Sequence, residues 1–384
     1  MAAMEKNNKN LNVPNLRFPE FSGEWKETTI GECCSELEYG MNAPSKHFDG
    51  VNKYIRITDI DEQTSEYKQD SVVSPDAPLE DKYIVKDRDI LFARTGASTG
   101  KTYIYNPQDG KMYYAGFLIR ANVKMEDNPK FVFYQTQTHR YKKWVSIMSM
   151  RSGQPGINSQ EYASYKFWKP CKEEQDKISA LISLLDTRIQ TQKKIIEKYE
   201  SLIRGLYHSV FNNPSSILQL REVVSVVKGK QVNGEDLLEE GKYYVMNGGT
   251  EPSGYLDEYN TPANTISISE GGNSCGYVQY NTEPFWSGGH CYSLHQKDEG
   301  VNYQYLYHFL KYKERDIMAL RIGSGLPNVQ KKDLERFEIR VLPIEQQNRV
   351  AEILEDISAK CDLEKKILQE WQWQKSFLLS NLFI

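Results

Sequence analysis

Two rhythms of apolar and polar positions succeed one another along the chain, and then succeed one another again. Short β-branched and Tyr-rich runs such as KYIRITDI and KYYVMNGG, punctuated by Gly, Pro, Asn and Asp, predict a β-rich lobe with long loops. Helical spacing follows in PKFVFYQTQTHRYKKWVSIMS and in NYQYLYHFLKYKERDIMALR. Each predicts one amphipathic helix that ends at a Gly-containing loop, RSGQPGIN or IGSGLPNV. A last strand then leads into a long helix.

Stepping by four and three from Ile178 meets Ile182, Leu185, Ile189, Gln192, Ile196, Tyr199, Ile203, Leu206 and Val210, a coiled-coil seam with one polar interruption. The second long segment gives Val350, Leu354, Ile357, Cys361, Glu364, Leu368, Trp371, Lys375, Leu378 and Leu382, a weaker seam in the same register. At ~1.5 Å per residue such a helix is on the order of 55 to 60 Å long and needs a partner. The plain alternative is a bundle helix packed on its own lobe. The preferred reading pairs the two helices antiparallel, with Gln192 facing Glu364 as a polar layer that penalises slipped registers.

The two rhythms recur because the chain repeats itself. A shift of 172 residues lays Ser152–Phe211 over Ser324–Phe383 without a gap, matching Ser152-Gly153 and Pro155 with Ser324-Gly325 and Pro327, and Lys193-Lys194-Ile195 with Lys365-Lys366-Ile367. Upstream, IGECCSELEYG resembles LREVVSVVKGK, and DILFARTGASTG resembles NTISISEGGNSCG. The expected fold class is α+β, two pseudo-symmetric β-rich domains separated by two long antiparallel coiled-coil helices. The expected division is 1–15 a disordered leader, 16–171 the first lobe, 172–212 the first long helix, 213–343 the second lobe and 344–384 the second long helix.

These residues carry a family resemblance. LRFPEFSGEW followed by IGE, the strand-loop DILFARTGASTGK, the SGQPGIN loop, and the entries Glu174-Gln175 and Gln346-Gln347 to the long helices resemble the specificity subunit of a type I restriction-modification system, from about Leu16 to Phe383. The resemblance implies that each lobe is a target recognition domain reading half of an interrupted, asymmetric double-stranded DNA sequence. It implies that the helices hold two methyltransferase subunits and, through them, restriction/translocase subunits, and that this chain has no catalytic centre and binds no cofactor. S-adenosylmethionine is expected in the partner methyltransferase. Lobes reading one face of a duplex should have half-site centres ~34 to 36 Å apart. The alternative from another class is a non-enzymatic two-lobed coiled-coil adaptor that binds only proteins.

Candidate chemistry narrows the choice. In TGASTGKT, Gly100-Lys101-Thr102 copies the end of a phosphate loop, but Thr95 stands where the first Gly belongs and YIYNPQDG follows where a helix is required. Lys101, Arg94, Ser98 and Thr99 suit DNA phosphates instead, unless the glycines mark only a structural turn. No Asn/Asp-Pro-Pro-aromatic segment marks a methyltransferase; NPSS from Asn213 lacks the second Pro and the aromatic. Six histidines show no ligand spacing, so no metal is expected. For base reading, Arg, Lys, Asn and Gln matter most. The first copy offers Arg140, Lys142, Lys143, Arg151, Gln154 and Asn158; the second offers Asn273, Ser274, Lys311, Arg315, Arg321, Asn328, Gln330 and Lys331. A solvated helix face would equally explain the basic runs.

Composition enters last because it alters little. The 384 residues hold 48 Lys plus Arg against 52 Asp plus Glu, a net charge of -4, and no apolar run of ~18 residues that could cross a bilayer. Six scattered cysteines without C-x-x-C, and a polar N-terminus, point to free thiols in a reducing cytoplasm. An acidic total says little about the local sign at Lys142-Lys143 or Lys331-Lys332, but it predicts weak DNA binding by the chain alone.

Overall fold

A computed structural model describes residues 12–150, 154–212, 216–323, 325 and 327–384. Most of the expected leader lies outside these, although Asn12 accepts a bond from the Trp25 amide at 2.8 Å. The chain forms two compact units: residues up to Thr191 together with Leu368–Ile384, and Gln192–Ile367.

The first unit contains β1 (Lys26–Thr29), a one-turn helix Ile30–Cys33, β2 (Glu38–Tyr39), β3 (Asp89–Ala93), β4 (Thr102–Ile104) and β5 (Leu118–Asn122). Then come α1 (Pro129–Gln135), α2 (His139–Met148), α3 (Ser159–Ala163), β6 (Lys166–Lys169) and the long α4 (Lys172–Phe211), which runs on into the second unit. The second unit repeats the order with β7 (Ser216–Gln219), β8 (Val224–Lys228), β9 (Thr265–Ser269), β10 (Val278–Asn281) and β11 (Cys291–Gln296). These precede α5 (Tyr303–Tyr312), α6 (Glu314–Ala319), α7 (Lys331–Glu335), β12 (Glu338–Val341) and the long α8 (Ile344–Asn381), whose last turns belong to the first unit.

Both units are built on the same antiparallel four-stranded sheet, β2-β5-β3-β4 in one and β8-β11-β9-β10 in the other. The central strands β3 and β9 are buried along their whole length, which explains the apolar run after Asp89 in β3 and the small or apolar residues throughout β9. A second antiparallel pair, β1 with β6 or β7 with β12, leads into each long helix.

Register shows where the copies differ. Tyr39 pairs Ile119, which pairs Phe92; Lys228 pairs Tyr292, which pairs Ile268. Tyr39 therefore corresponds to Lys228, and Gly40 to Gly229, one residue away from the ungapped alignment of IGECCSELEYG with LREVVSVVKGK. The first copy carries one extra residue between Cys34, bridged to Val123, and Glu38, a β-bulge that the second lacks. The two glycines confirm the match: a Cβ at either would meet a backbone carbonyl oxygen at 2.3 Å.

Each predicted amphipathic helix is in fact two. In the first unit Thr136 and Thr138 donate their hydroxyls to Phe133 O and Gln135 O, both at 2.7 Å, and Thr138 then caps α2 by accepting from the Tyr141 amide. Short hydroxyl side chains thus compete with the helical ladder and break it. In the second unit Lys313 makes the break.

The entry to each long helix has one repeated device. Gln175 is buried, donates to Pro170 O (3.1 Å) and accepts from the amide of Asn128, which caps α1. Gln347 likewise donates to Leu342 O (2.7 Å) and accepts from the amide of Asn302, which caps α5. The side chain ties three segments of backbone together, which accounts for the glutamine that recurs there.

The ends of the predicted seams lie in the lobe cores. Ile178 and Ile182 join the first core with Leu379, Leu382 and Phe383, and Phe131 of α1 stacks on Phe383 at 5.2 Å. Val350 and Leu354 pack in the second core, where Tyr305 of α5 meets the edge of Phe211 at 5.4 Å. The tail of each long helix thus completes the lobe of the other copy. Between the ends the helices pair. In the first unit Leu185 and Ile189 are buried, Leu368 and Trp371 half-buried, Lys375 bonds Asp186 (2.6 Å) and Arg188 lies over Trp371. In the second, Ile196 and Cys361 are buried, Ile357 and Tyr199 half-buried, and Lys365 pairs Glu200. There Gln192 is buried and donates to the Glu364 backbone carbonyl (3.0 Å) and to its carboxylate. No described helix is long and apolar enough to cross a membrane.

Candidate nucleic-acid interface

In each lobe the buried central strand ends in a Gly-rich loop that a second loop holds in place. After β3, Arg94–Lys101 turns back on itself: the Thr99 amide donates to Gly96 O (3.0 Å) and the Gly100 amide to Ala93 O (3.0 Å). After β9 the same bonds run from Cys275 to Gly272 O (3.2 Å) and from Gly276 to Ser269 O (2.7 Å). The SGQPGIN loop then docks through Gly96 N to Pro155 O (2.9 Å) and Ile157 N to Arg94 O (2.9 Å). The IGSGLPNV loop docks identically, through Gly272 N to Pro327 O (3.0 Å) and Val329 N to Glu270 O (2.8 Å). Of the repeated Ser-Gly-x-Pro pattern, Pro155 and Pro327 make equivalent docking bonds, while Ser152, Gly153 and Ser324 lie outside the described residues.

The glycines are structural. Gly100 and Gly276 have φ of +89° and +90°, the left-handed region that disfavours a side chain. A Cβ at Gly100 would meet Val145 Cγ1 of α2 at 2.5 Å, and one at Gly276 would meet Met318 Cα of α6 at 2.7 Å. The loop leads into an antiparallel strand in both copies, so it has none of the helix N-terminus on which a nucleotide-binding phosphate loop depends.

On this shared frame the side chains differ. The Arg94 guanidinium lies 4.8 Å from the centre of the Tyr39 ring, and the Tyr39 hydroxyl is held by the Ser159 amide at 3.1 Å. At the corresponding positions the second lobe has Glu270 and Lys228, joined by an ion pair at 2.6 Å. The same Glu270 oxygen accepts from Tyr292 OH (3.0 Å); its other oxygen has no hydrogen-bond partner among the described residues and faces His290 Nδ1 at 3.7 Å. Ala97 is replaced by the exposed Asn273, and Lys101 by Tyr277. Tyr39, Lys228, Glu270 and His290 escaped sequence reasoning. The Arg94–Glu270 inversion was visible in the aligned loops; the identity of their partners was not.

The other expected contacts divide into free and engaged side chains. Lys142, Lys143, Gln154, Arg315, Arg321 and Asn328 are exposed, and Ser98, Ser274 and Gln330 half-exposed. Others have work within the fold. Lys101 pairs with Glu62 (3.3 Å), Arg140 donates to Ile384 O (2.9 Å), and Thr99 Oγ1 donates to Gly96 O. Asn158 caps α3, where it accepts from the Glu161 amide. Lys311 bonds Glu314 (2.6 Å) and Val278 O and lies over Tyr277, and Lys331 approaches Glu335 at 3.6 Å. Arg151 lies outside the described residues. Engaged cations of this kind hold loops and are weaker candidates for DNA contact.

No group of His, Cys, Asp and Glu able to hold a metal occurs among the described residues, and the cysteines are unpaired. Burial is the main reason the Cys33 thiol is pushed up to about 11 and the His308 imidazole down to about 4, so neither is poised for chemistry near neutral pH.

Comparison with known proteins gives this arrangement a place. Residues 22–201 and 214–371 match the family described as the type I restriction modification DNA specificity domain. A Mycoplasma genitalium protein assigned as a type I specificity subunit is 32% identical over 166 residues, which cover 41% of this chain and 43% of that protein. The match therefore spans less than half of that relative. The specificity subunit of the type I restriction enzyme MjaVIII of Methanocaldococcus jannaschii is 22% identical, with 96% of this chain and 93% of that one covered. The crystal structure of an M. genitalium type I restriction-modification S subunit shares the fold, with a TM-score of 0.74 at 20% identity over 97% of this chain and 99% of that one. With two copies of the family's domain spanning nearly its whole length, the chain belongs to the type I restriction-modification DNA specificity family, as a non-catalytic member.

Proposed function

We propose that this chain is the sequence-reading subunit of a type I restriction-modification complex, in which each β-rich lobe reads one half of a bipartite, asymmetric double-stranded DNA target. The observation that carries this is the identical loop-on-loop clamp of the two lobes beneath unlike side chains, Arg94 and Tyr39 in one, Glu270 and Lys228 in the other. Backbone bonds fix where a reading loop stands, and the side chains on it decide which base edge is matched. The paired long helices offer seats for two methyltransferase subunits, which would bring S-adenosylmethionine and, through the complex, a restriction/translocase subunit; the site of action is the cytoplasm.

Methylation mapping in cells that carry this chain with its methyltransferase tests the reading. A modified sequence in two unlike parts separated by unspecified bases is the expected result. A continuous or palindromic site overturns it. Because the net charge is -4, the isolated chain should bind duplex DNA weakly and with a steep salt dependence, and the assembled complex tightly. Salt-insensitive binding of proteins alone, without DNA, would favour the adaptor alternative.

A further inference from the structure

The inversion of charge at one position of an otherwise identical frame has a specific meaning. Arg94 and Glu270 follow the last residues of β3 and β9, and their backbone carbonyls accept equivalent bonds, from Ile157 at 2.9 Å and Val329 at 2.8 Å. A seat for a DNA phosphate would be expected to keep its sign in both lobes, since the backbone carries the same charge along every sequence. A position that reads a base is free to change with the half-site.

Arg94 is also prepared for such a role. Among the described residues its guanidinium makes no hydrogen bond and no ion pair, so all five of its donors are uncommitted, and it rests over the Tyr39 ring. Tyr39 cannot turn freely, because the Ser159 amide holds its hydroxyl and the bulge before β2 sets its direction. A planar fork of parallel donors matches the two acceptors, O6 and N7, of guanine in the major groove. In the second lobe Glu270 takes the place of Arg94, and Lys228, which takes the place of Tyr39, is an ammonium neutralised by that carboxylate.

We propose that Arg94 is a base-reading residue that selects guanine at one position of the half-site read by the first lobe, and that the Lys228–Glu270 pair makes the second lobe's preference at the matching position different. This rests on the reading of the lobes as DNA readers. The test uses the full chain assembled with its methyltransferase subunit, on a panel of duplexes in which each base pair of the mapped target is varied at fixed salt. For Arg94→Gln, guanine at a single pair of one half-site should lose its advantage by about 10- to 100-fold, with adenine gaining, while the other half-site keeps its bases. Arg94→Lys should keep part of the guanine preference. An unchanged target, or an equal loss on every duplex as from a lost phosphate contact, overturns the assignment of Arg94 while leaving the two-part target standing. A wild-type complex with no sequence preference would sink the broader reading and this one together.

Discussion

The two lobes solve one packing problem in two ways. Beside the entry to the first long helix, Asp127 and Lys169 form an ion pair at 2.6 Å, with Asp127 4% exposed and Lys169 27%. Gln175 donates to the second Asp127 oxygen at 2.9 Å, and the Lys169 ammonium also lies 3.6 Å from Cys33 Sγ. In the second lobe the same places, before the capping Asn302 and at the end of β12, hold Val301 and Val341, both in the hydrophobic core, and Gln347 turns to Gly300 O instead. Burial pushes the Asp127 carboxyl up, but the bonds from Lys169 and Gln175 outweigh it and hold it below the ordinary carboxylate range. Two valines give up that attraction and avoid the desolvation. The molecule thus contains its own control for the rule that a buried ion pair is costly to break yet replaceable as a unit.

The sharpest way to break the comparison is to remove one partner. Asp127→Ala should destabilise the first unit by about 3 kcal/mol, because Lys169 and Gln175 lose their acceptor together. Asp127→Val with Lys169→Val should recover most of the loss, and denaturant melts of the full chain would read both. A double variant as unstable as the single one would show that the lobes are not equivalent here. The sign of the pH effect follows from the depressed carboxyl: the pair's contribution is present above the ordinary carboxylate range and fades as pH falls through the lowered value.

Acid should strain the second unit through a different group. At the place of Tyr134, whose hydroxyl donates to Asp186 at 2.7 Å, the second copy has His308, with Nδ1 3.0 Å from Tyr207 OH and Nε2 buried without a partner. Its folded value is about 4 against 6.5 in the free side chain, so between those values the unfolded chain binds the extra proton. Stability of the second unit should fall by about 3 kcal/mol as pH drops from 6.5 to 4. His308→Phe should remove that slope at a constant cost of ~1 kcal/mol for the stranded tyrosine hydroxyl. Amide exchange resolved by residue would see the change in 192–367 only.

Smaller effects separate the two reading loops and the helix pair. Gly100→Ala and Gly276→Ala both force a side chain into positive φ, at a cost of about 1 to 3 kcal/mol. Gly276→Ala should lie at the upper end, since its Cβ meets the backbone of Met318, whereas at Gly100 it meets the side chain of Val145. Equal thermal shifts would mean that helix α6 gives way as readily as a valine. Last, Gln192→Leu with Glu364→Leu should raise stability by about 1 kcal/mol while loosening the helix register, as thermal melts and a cysteine cross-link series along the pair would report. A marked loss would mean that the polar layer stabilises outright.

Much of this was legible beforehand, for identifiable reasons. Leu185, Ile189 and Ile196 announce a seam because helical period is a local property, and Gln192 announces its break. The repeated Ser-Gly-x-Pro and Glu/Gln-Gln residues announce a frame, because a backbone bond such as Gly96 to Pro155 constrains both copies alike. The split of each amphipathic helix was missed, since Thr136 and Thr138 interrupt no hydrophobic pattern; their hydroxyls compete for carbonyls only once the backbone is in place. Lys101, Asn158 and Lys311 read as free donors, yet their partners Glu62, Glu161 and Glu314 engage them in the folded lobe.

By itself, then, the sequence determined the repeat, the β-then-helix order of each copy, the heptad seams and the absence of a catalytic motif, all properties carried by neighbours within a few residues. Tertiary structure decided which distant side chains meet. A single extra residue before Glu38 shifts Tyr39, not Glu38, into the strand position that Lys228 occupies in the other copy, and so places a ring beneath Arg94 where its counterpart meets an ammonium. Because successive residues of a strand face opposite sides, one residue of register exchanges every partner, and no periodicity along the chain records that choice.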